Sequence, residues 1–296
     1  MSVSFKPKQI VLIDETALQE FLGSATEAVA HEFLRPLVPL PVGSHVHDNG
    51  CGSGAITKAL FSLQPPLKNA DPDRQDIRVS ATDRSPAAVK QLQSMATSEN
   101  WTGVDARSMD STALSFPDGS FSHSLTGFVF LQLGEGGDVV SAREIHRTLR
   151  PGGLAVVATW EDLPSMAVFR QAVEELRGVE GGRPEGALPD MLQMHAYGGR
   201  QVEQALLKAG FPSDGMRVER HSTEIRVANA RRWCEIGWSI CGTTGGKWIQ
   251  HDEDSWEQVI EYAQQALVTG PWYRRDMDVE GAGWLTLTAS VVVARK

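Results

Sequence analysis

Three carboxylates, Asp48, Asp83 and Asp110, each close a strand-like run, and the first leads into Asn49-Gly50-Cys51-Gly52-Ser53-Gly54. Glycines at a strand-to-helix turn let the backbone approach a ligand closely and adopt torsions that a Cβ resists. The helix that follows offers unpaired N–H groups at its start. At such an edge Asp48 can hold a cationic or hydrogen-bonding group. Asp83 is placed to accept hydrogen bonds from the 2′- and 3′-hydroxyls of a ribose, and Asp110 from an adenine amine. Open α/β sheets bind ligands at this carboxyl edge.

The elements around these residues follow from hydrophobic period and punctuation. A helix is expected over Glu15 to Leu34, then a break at Pro36, Pro39 and Pro41 and a strand over Val42 to Asp48. A helix follows over Ala55 to Leu63, and Gln64 to Asp76 reads as a loop. Ile77 to Thr82 is the second strand; Ser85-Pro86 starts the next helix with an N-cap serine and a proline at the first helical position. Thr102 to Met109, Phe121 to Phe130 and Leu154 to Trp160 are further strands, with a helix over Val139 to Leu149 and a turn at Arg150-Pro151-Gly152-Gly153. The alternation implies a parallel sheet with right-handed crossovers and helices on both faces. Beyond it, Val168 to Arg177 and Val202 to Ala209 are helical, Gly210 closing the latter as a C-terminal cap. Met216 to Val227 and Trp284 to Ala294 read as strands.

Two cofactors compete for the glycine turn. Gly50-x-Gly52-x-x-Ala55 fits the dinucleotide pattern, and a lone fit of that kind is weak. Asp48 beside a pyrophosphate would repel it, whereas the ammonium of a sulfonium amino acid would pair with it. Asp83 stands 29 residues after Gly54, beyond the usual ~20 of dinucleotide folds. S-adenosylmethionine is therefore favoured over NAD.

Here the chain resembles the class I S-adenosylmethionine-dependent methyltransferases. The resemblance rests on Asp48 to Gly54, Asp83, Asp110, Phe116-Pro117-Asp118-Gly119-Ser120-Phe121 and Glu144-Ile145-His146-Arg147-Thr148-Leu149-Arg150-Pro151-Gly152-Gly153, in family order over residues 44 to 160. The Asn-Gly-Cys-Gly-Ser-Gly form is similar to that of small-molecule methyltransferases of fungal secondary metabolism. Ser122-His123 departs from the pattern, since relatives often carry Asp after the Phe. The resemblance implies a Rossmann-like, doubly wound, mostly parallel seven-stranded α/β sheet with an antiparallel C-terminal strand and a helical cap. It implies S-adenosylmethionine as cofactor, held by Asp48, Asn49, Gly50, Cys51, Gly52, Asp83, Arg84, Met109, Asp110, Ser111, Thr126 and Phe128. The expected function is in-line methyl transfer to a thiol, hydroxyl or amine of a small molecule, of the secondary-metabolite kind. The rivals are a non-methylating protein on the same fold, a regulator or cyclisation-directing enzyme, and an NAD-dependent oxidoreductase.

Simpler readings stand beside these. His45-x-His47-Asp48 puts alternate residues on one strand face, but no third ligand accompanies them, so no metal is expected. His146 reads as packed or surface, and Cys51 as a small residue that fits the turn. With 28 Lys plus Arg against 37 Asp plus Glu the net charge is −9, which speaks against a phosphate backbone as partner. Thr126-Gly127-Phe128-Val129 also lacks the Asn/Asp-Pro-Pro-aromatic sequence of amino-methyltransferases acting on bases or glutamine. Cys51, Cys234 and Cys241 suit a reducing compartment, and no run approaches a membrane span; a cytoplasmic protein is expected.

The expected organisation is an N-terminal helical cap segment (1–41), a core (42–227), a helical cap insertion (228–283) and a last core strand (284–296). The insertion holds Trp233, Trp238, Trp248, Trp256 and Trp272, five of the eight tryptophans. Of these Trp233 and Trp238, with His195 as a weak base candidate, are the expected acceptor contacts. The glycines near Thr243-Thr244-Gly245-Gly246 read as a hinge, and no catalytic residue is assigned.

Overall fold

The computed structural model describes residues 11–13, 15–64, 77–180, 183–184, 192, 197–243 and 248–296. The main sheet runs β3 (Val104–Ser108), β2 (Ile77–Asp83), β1 (Ser44–Asn49), β4 (Phe121–Gly127), β5 (Leu149–Asp162), β10 (Gly283–Arg295), β8 (Met216–Val227), with β9 (Tyr273–Arg275) paired to β10. The path thus holds the seven strands expected, and β9 makes an eighth. Strands β1 to β5 are parallel. Gly152 N–H donates to Lys296 O and Lys296 N–H to Gly153 O, both at 2.9 Å, so the end of β10 meets the start of β5 and the two run antiparallel.

The chain divides into two compact units. One comprises 26–161, 197–221 and 288–296; the other comprises 1–25, 162–196 and 222–287. Residues 162–196, expected within the core segment, thus group with the second unit.

In the first unit, α3 (Ala55–Leu63), α4 (Pro86–Ser98) and α5 (Gly137–Thr148) form the crossovers, joined by α7 (Gly199–Ala209). Ser85 caps α4, its side chain accepting from Ala88 N–H at 3.3 Å, and Gly210 ends α7 at φ 103°. Phe121, Phe130, Ile145, Leu149, Val157, Val202, Leu206 and Phe211 form one core cluster.

In the second unit, α6 (Pro164–Arg177), α8 (Ala230–Thr243), α9 (Gln250–Asp254) and α10 (Trp256–Thr269) accompany α1 (Glu15–Leu22). Phe21 stacks on Trp233 with ring centroids 4.6 Å apart, and Phe169 stands parallel to Trp233 at 6.2 Å. Gly237 leaves room for both phenylalanines, since a Cβ there would lie 2.5 Å from Phe169 and 2.8 Å from Phe21. A buried ion pair joins Arg177 to Asp252 at 2.5 Å.

Three local expectations change. The single helix over 15–34 is two, α1 and α2 (Ala25–Leu34), because Gly23 turns the chain at φ +55°. Arg150 to Gly153 is a kink inside β5 rather than a turn before it: the register jumps from Phe121↔Leu149 to His123↔Leu154, and β10 satisfies the backbone of both glycines. The sequence of Gly178 to Pro189 reads as a glycine-rich loop, whereas β6 (Val179–Glu180) and β7 (Arg183–Pro184) form a two-stranded ladder within it. The hinge at 244–246, His195 and most of the 64–76 loop lie outside the described residues.

Candidate cofactor site

The site is assembled at the carboxyl ends of β3, β2, β1 and β4. Parallel registry aligns them, pairing Asp48 with Ala81 and Leu125, Asn49 with Thr82, and Asp83 with Ser108. The turn after β1 is bound to β2. Thr82 O accepts from Gly50 N–H at 2.7 Å and Cys51 N–H at 2.9 Å. Asp83 accepts from Gly52 N–H at 2.9 Å and, through its other oxygen, from Ser85 N–H at 2.8 Å. Asp83 therefore orients both the glycine turn and the start of α4 as well as presenting a carboxylate at the edge.

The glycines differ in what they exclude. A Cβ on Gly50, at φ +73°, would lie 2.2 Å from Val129 Cγ2. On Gly52, at φ +51°, it would meet nothing within 4 Å. Gly50 is required by the protein's own packing; Gly52 faces open space that a side chain would fill.

Beneath the turn, Asp48 is fully buried. One oxygen accepts from Thr57 N–H (3.2 Å) and Thr57 O–H (2.6 Å), and the other has no partner. Burial pushes its pKa up to about 6, against the pull of the Thr57 bonds. Asn49, also buried, donates from Nδ2 to Thr126 Oγ1 at 3.3 Å, while its Oδ1 has no partner. Two orphaned oxygens on adjacent buried residues are costly unless a ligand satisfies them. They suit a cation or N–H donor, such as the ammonium of a sulfonium amino acid. Burial, with the charges of Asp48 and Asp83, pushes the Cys51 thiol far up, which leaves it inert.

After β3, Met109 N–H donates to Asp83 O at 3.0 Å. Asp110 accepts from Thr112 N–H (2.8 Å) and O–H (2.7 Å), which holds its carboxyl below the usual range, with the Arg84 charge adding to the effect. Ser111 beside it is buried, and Arg84 and Asp110 are exposed. The following loop hangs on α5. Arg147 donates to Phe116 O (2.7 Å), Leu114 O (2.8 Å) and Asp118 (2.8 Å), and Glu144 accepts from Leu114 N–H (2.9 Å). At the end of β4, Phe128 takes φ +61°, a genuine outlier for a bulky residue, and stacks on Trp160 at 4.2 Å. Such strain persists where surroundings over-determine it and gathers at functional sites.

The structure thus brings together Asp48, Asn49, Gly50, Cys51, Gly52, Asp83, Arg84, Met109, Asp110, Ser111, Thr126 and Phe128. Trp233 and Trp238 are not among them. They are 3% and 0% exposed in the interior of the other unit, and Trp233 Nε1 donates to Phe21 O at 3.1 Å. Sequence reasoning passed over Thr57, Thr82, Val129 and Trp160. Thr57, in the first turn of the helix after the glycines, carried a signal; the others depend on which strand neighbours which. His45 and His47 spend their Nε2 atoms on Ser80 and Thr82 hydroxyls, each at 2.9 Å. Among the described residues, no group of three or more His, Cys, Asp or Glu could hold a metal, and no helix is long and apolar enough to cross a membrane.

Comparison with known proteins adds an independent line. Residues 47–157 match the methyltransferase domain family. The chain is 23% identical over 166 residues to the methyltransferase tpcH of Aspergillus fumigatus, a match covering 56% of this chain and 53% of that one. The match therefore spans about half the length of that relative. It is 20% identical over 269 residues to the methyltransferase ktnA of Aspergillus niger, covering 85% and 84% of the two chains. The fold is similar to that of Haemonchus contortus phosphoethanolamine N-methyltransferase 2 in complex with S-adenosyl-L-methionine (TM-score 0.53, 15% identity, 95% of this chain and 56% of that one). Matched segment, strand order and edge geometry converge: over residues 47–157 the chain is similar to the class I S-adenosylmethionine-dependent methyltransferases.

Proposed function

We propose that the chain methylates a small-molecule acceptor, a thiol, hydroxyl or amine of the kind found in secondary metabolites. The observation that carries the cofactor half of this reading is the cradle at Gly52, open above the backbone, with the unpartnered oxygens of Asp48 and Asn49 beneath it. Asp48 and Asn49 hold the ammonium end, Asp83 accepts from ribose hydroxyls, and Asp110 accepts from the adenine amine. Cys51, Arg84, Met109, Ser111, Thr126 and Phe128 complete the lining. When bound, S-adenosylmethionine supplies a methyl carbon already activated by positive sulfur.

The protein's task is then to align the acceptor's lone pair with that carbon and to exclude water. A thiol of pKa near 8.5 needs little help in losing its proton. A hydroxyl or ammonium needs a base. The small-molecule half of the reading is supported by the net charge of −9 and by the Thr126-Gly127-Phe128-Val129 sequence after β4.

The test is incubation with methyl-labelled S-adenosylmethionine and a panel of thiols, phenols and amines, read by mass spectrometry. Label in an acceptor, with one S-adenosylhomocysteine per label, is the expected result. Cofactor binding with no label in any acceptor class would favour a non-methylating regulator. A melting temperature raised by NAD and not by S-adenosylmethionine would overturn the cofactor assignment.

A further inference from the structure

Parallel strands buried on both faces ordinarily read as Val, Ile and Leu, yet the strand leading into the glycine turn carries a histidine in its middle. His47 is 0% exposed. Its ring is stacked on Phe121 (centroids 4.8 Å, 14° between planes), and Phe116 meets it edge-on at 5.3 Å. Nε2 lies 2.9 Å from Thr82 Oγ1, while Nδ1 has no partner. Burial drives its pKa down to about 3, so the ring is neutral under ordinary conditions. A buried imidazole with one orphaned nitrogen is a poor way to fill a core; a leucine would avoid the desolvation cost.

What the ring holds explains the choice. Thr82 is the residue whose carbonyl accepts from both Gly50 and Cys51, and the next residue, Asp83, accepts from Gly52. The backbone ladder fixes where Thr82 sits relative to β1. The His47–Thr82 side-chain bond adds a second tie across the same two strands, at the residue bearing the turn.

We propose that His47 is a positioning residue for the cofactor turn, acting through Thr82 to fix the backbone of Gly50 to Gly52. This rests on the cofactor reading above.

The test uses the full chain and S-adenosylhomocysteine as probe, titrated by calorimetry below the melting temperature of each variant. His47→Leu keeps the packing and removes the bond; it should raise Kd about threefold to tenfold, the range one hydrogen bond supplies. Thr82→Val should raise it equally, and the double variant should be no worse than either single one, since both break the same tie. His47→Gln, which restores a partner for Thr82, should recover to within about twofold of wild type. Unchanged Kd in His47→Leu, or additive losses in the double variant, would overturn the proposal. Should His47→Leu fail to fold, Thr82→Val against Thr82→Ser decides: equal Kd for the two overturns it, and loss only in the valine variant supports it. A wild-type protein that does not bind S-adenosylhomocysteine overturns the cofactor reading itself, a result distinct from the variant outcomes.

Discussion

The two compact units leave different kinds of buried polar atom unpaired. In the unit of 1–25, 162–196 and 222–287, large aromatic rings stack on one another, Trp233 has its N–H paired, the buried Arg177 guanidinium meets Asp252, and the unpaired atoms are the indole N–H groups of Trp238 and Trp272. In the unit holding the glycine turn, Asp48 and Asn49 are buried with an oxygen each unpaired, and His47 with a nitrogen unpaired. Phe128 is held at positive φ, and an aspartate pKa rises while a histidine pKa falls. Neighbouring unpaired acceptors, a strained backbone and shifted pKa values together are departures from local rules of the kind that gather at functional sites. The contrast supports the proposed placement of the cofactor at the sheet edge; Trp233 and Trp238 are buried in the interior of their own unit.

The largest effect should come from the aromatic unit. Trp238→Ala removes a fully buried ring and should cost about 3–5 kcal/mol of stability by urea unfolding. Affinity of the folded fraction for S-adenosylmethionine should be unchanged; a selective loss of affinity would break the contrast.

Next come the two glycines of one motif. Gly50→Ala adds a collision with Val129 to backbone strain and should destabilise by roughly 2–4 kcal/mol. Gly52→Ala carries only the strain, about 1–2 kcal/mol, yet should lose cofactor binding by calorimetry because its methyl enters the open cradle. If Gly52→Ala bound normally, the cradle would be misplaced.

Asp48→Asn tests the stored cost directly. Its raised pKa means that the group contributes stability as the neutral acid below the ordinary value of 3.8 and loses it as pH rises through about 6. At pH 7 the charged form is a burden. The amide should stabilise the ligand-free protein by roughly 1–3 kcal/mol while weakening S-adenosylmethionine binding. A drop in both would indicate that the carboxylate serves the fold.

The smallest effect is a slope. His47 and His123, with pKa values lowered to about 3 and about 4, stabilise the fold above pH 6.5 and lose that contribution as pH falls. Each contributes up to about 1.4 kcal/mol per pH unit, and Asp48 offsets about one of the two between pH 4 and 6. Urea midpoints at pH 7 and 5 should show a net acid loss, steeper in Asp48→Asn and flatter in His47→Leu. An Asp48→Asn slope equal to wild type would mean that Asp48 keeps its ordinary pKa.

Much of this was legible residue by residue because the signals are local. Ser85-Pro86 starts a helix and Gly210 ends one whatever surrounds them, since capping involves only neighbouring backbone. The strand-turn-helix around Asn49 to Gly54 is specified by its own glycines and by the apolar residues on either side. The three carboxylates were recognisable because each closes a strand, and parallel strands bring their ends to one edge. So the sequence by itself determined most of the elements, the sheet class, and the edge at which the cofactor is proposed to sit.

Only the tertiary structure decided what those residues cost, which of them face open space and which keep a polar atom unpaired. Gly50 and Gly52 look equivalent in the sequence, and they differ because Val129, 79 positions on from Gly50, stands over one and not the other. Tryptophans gathered in one segment suit a pocket or a core equally well until Phe21 and Phe169 are seen stacked on Trp233. His47 changes from an unassigned strand residue to a support of the turn once Thr82 is beside it. Burial, orphaned atoms and pKa are properties of a surrounding shell drawn from distant parts of the chain, and spacing along the sequence carries no record of that shell.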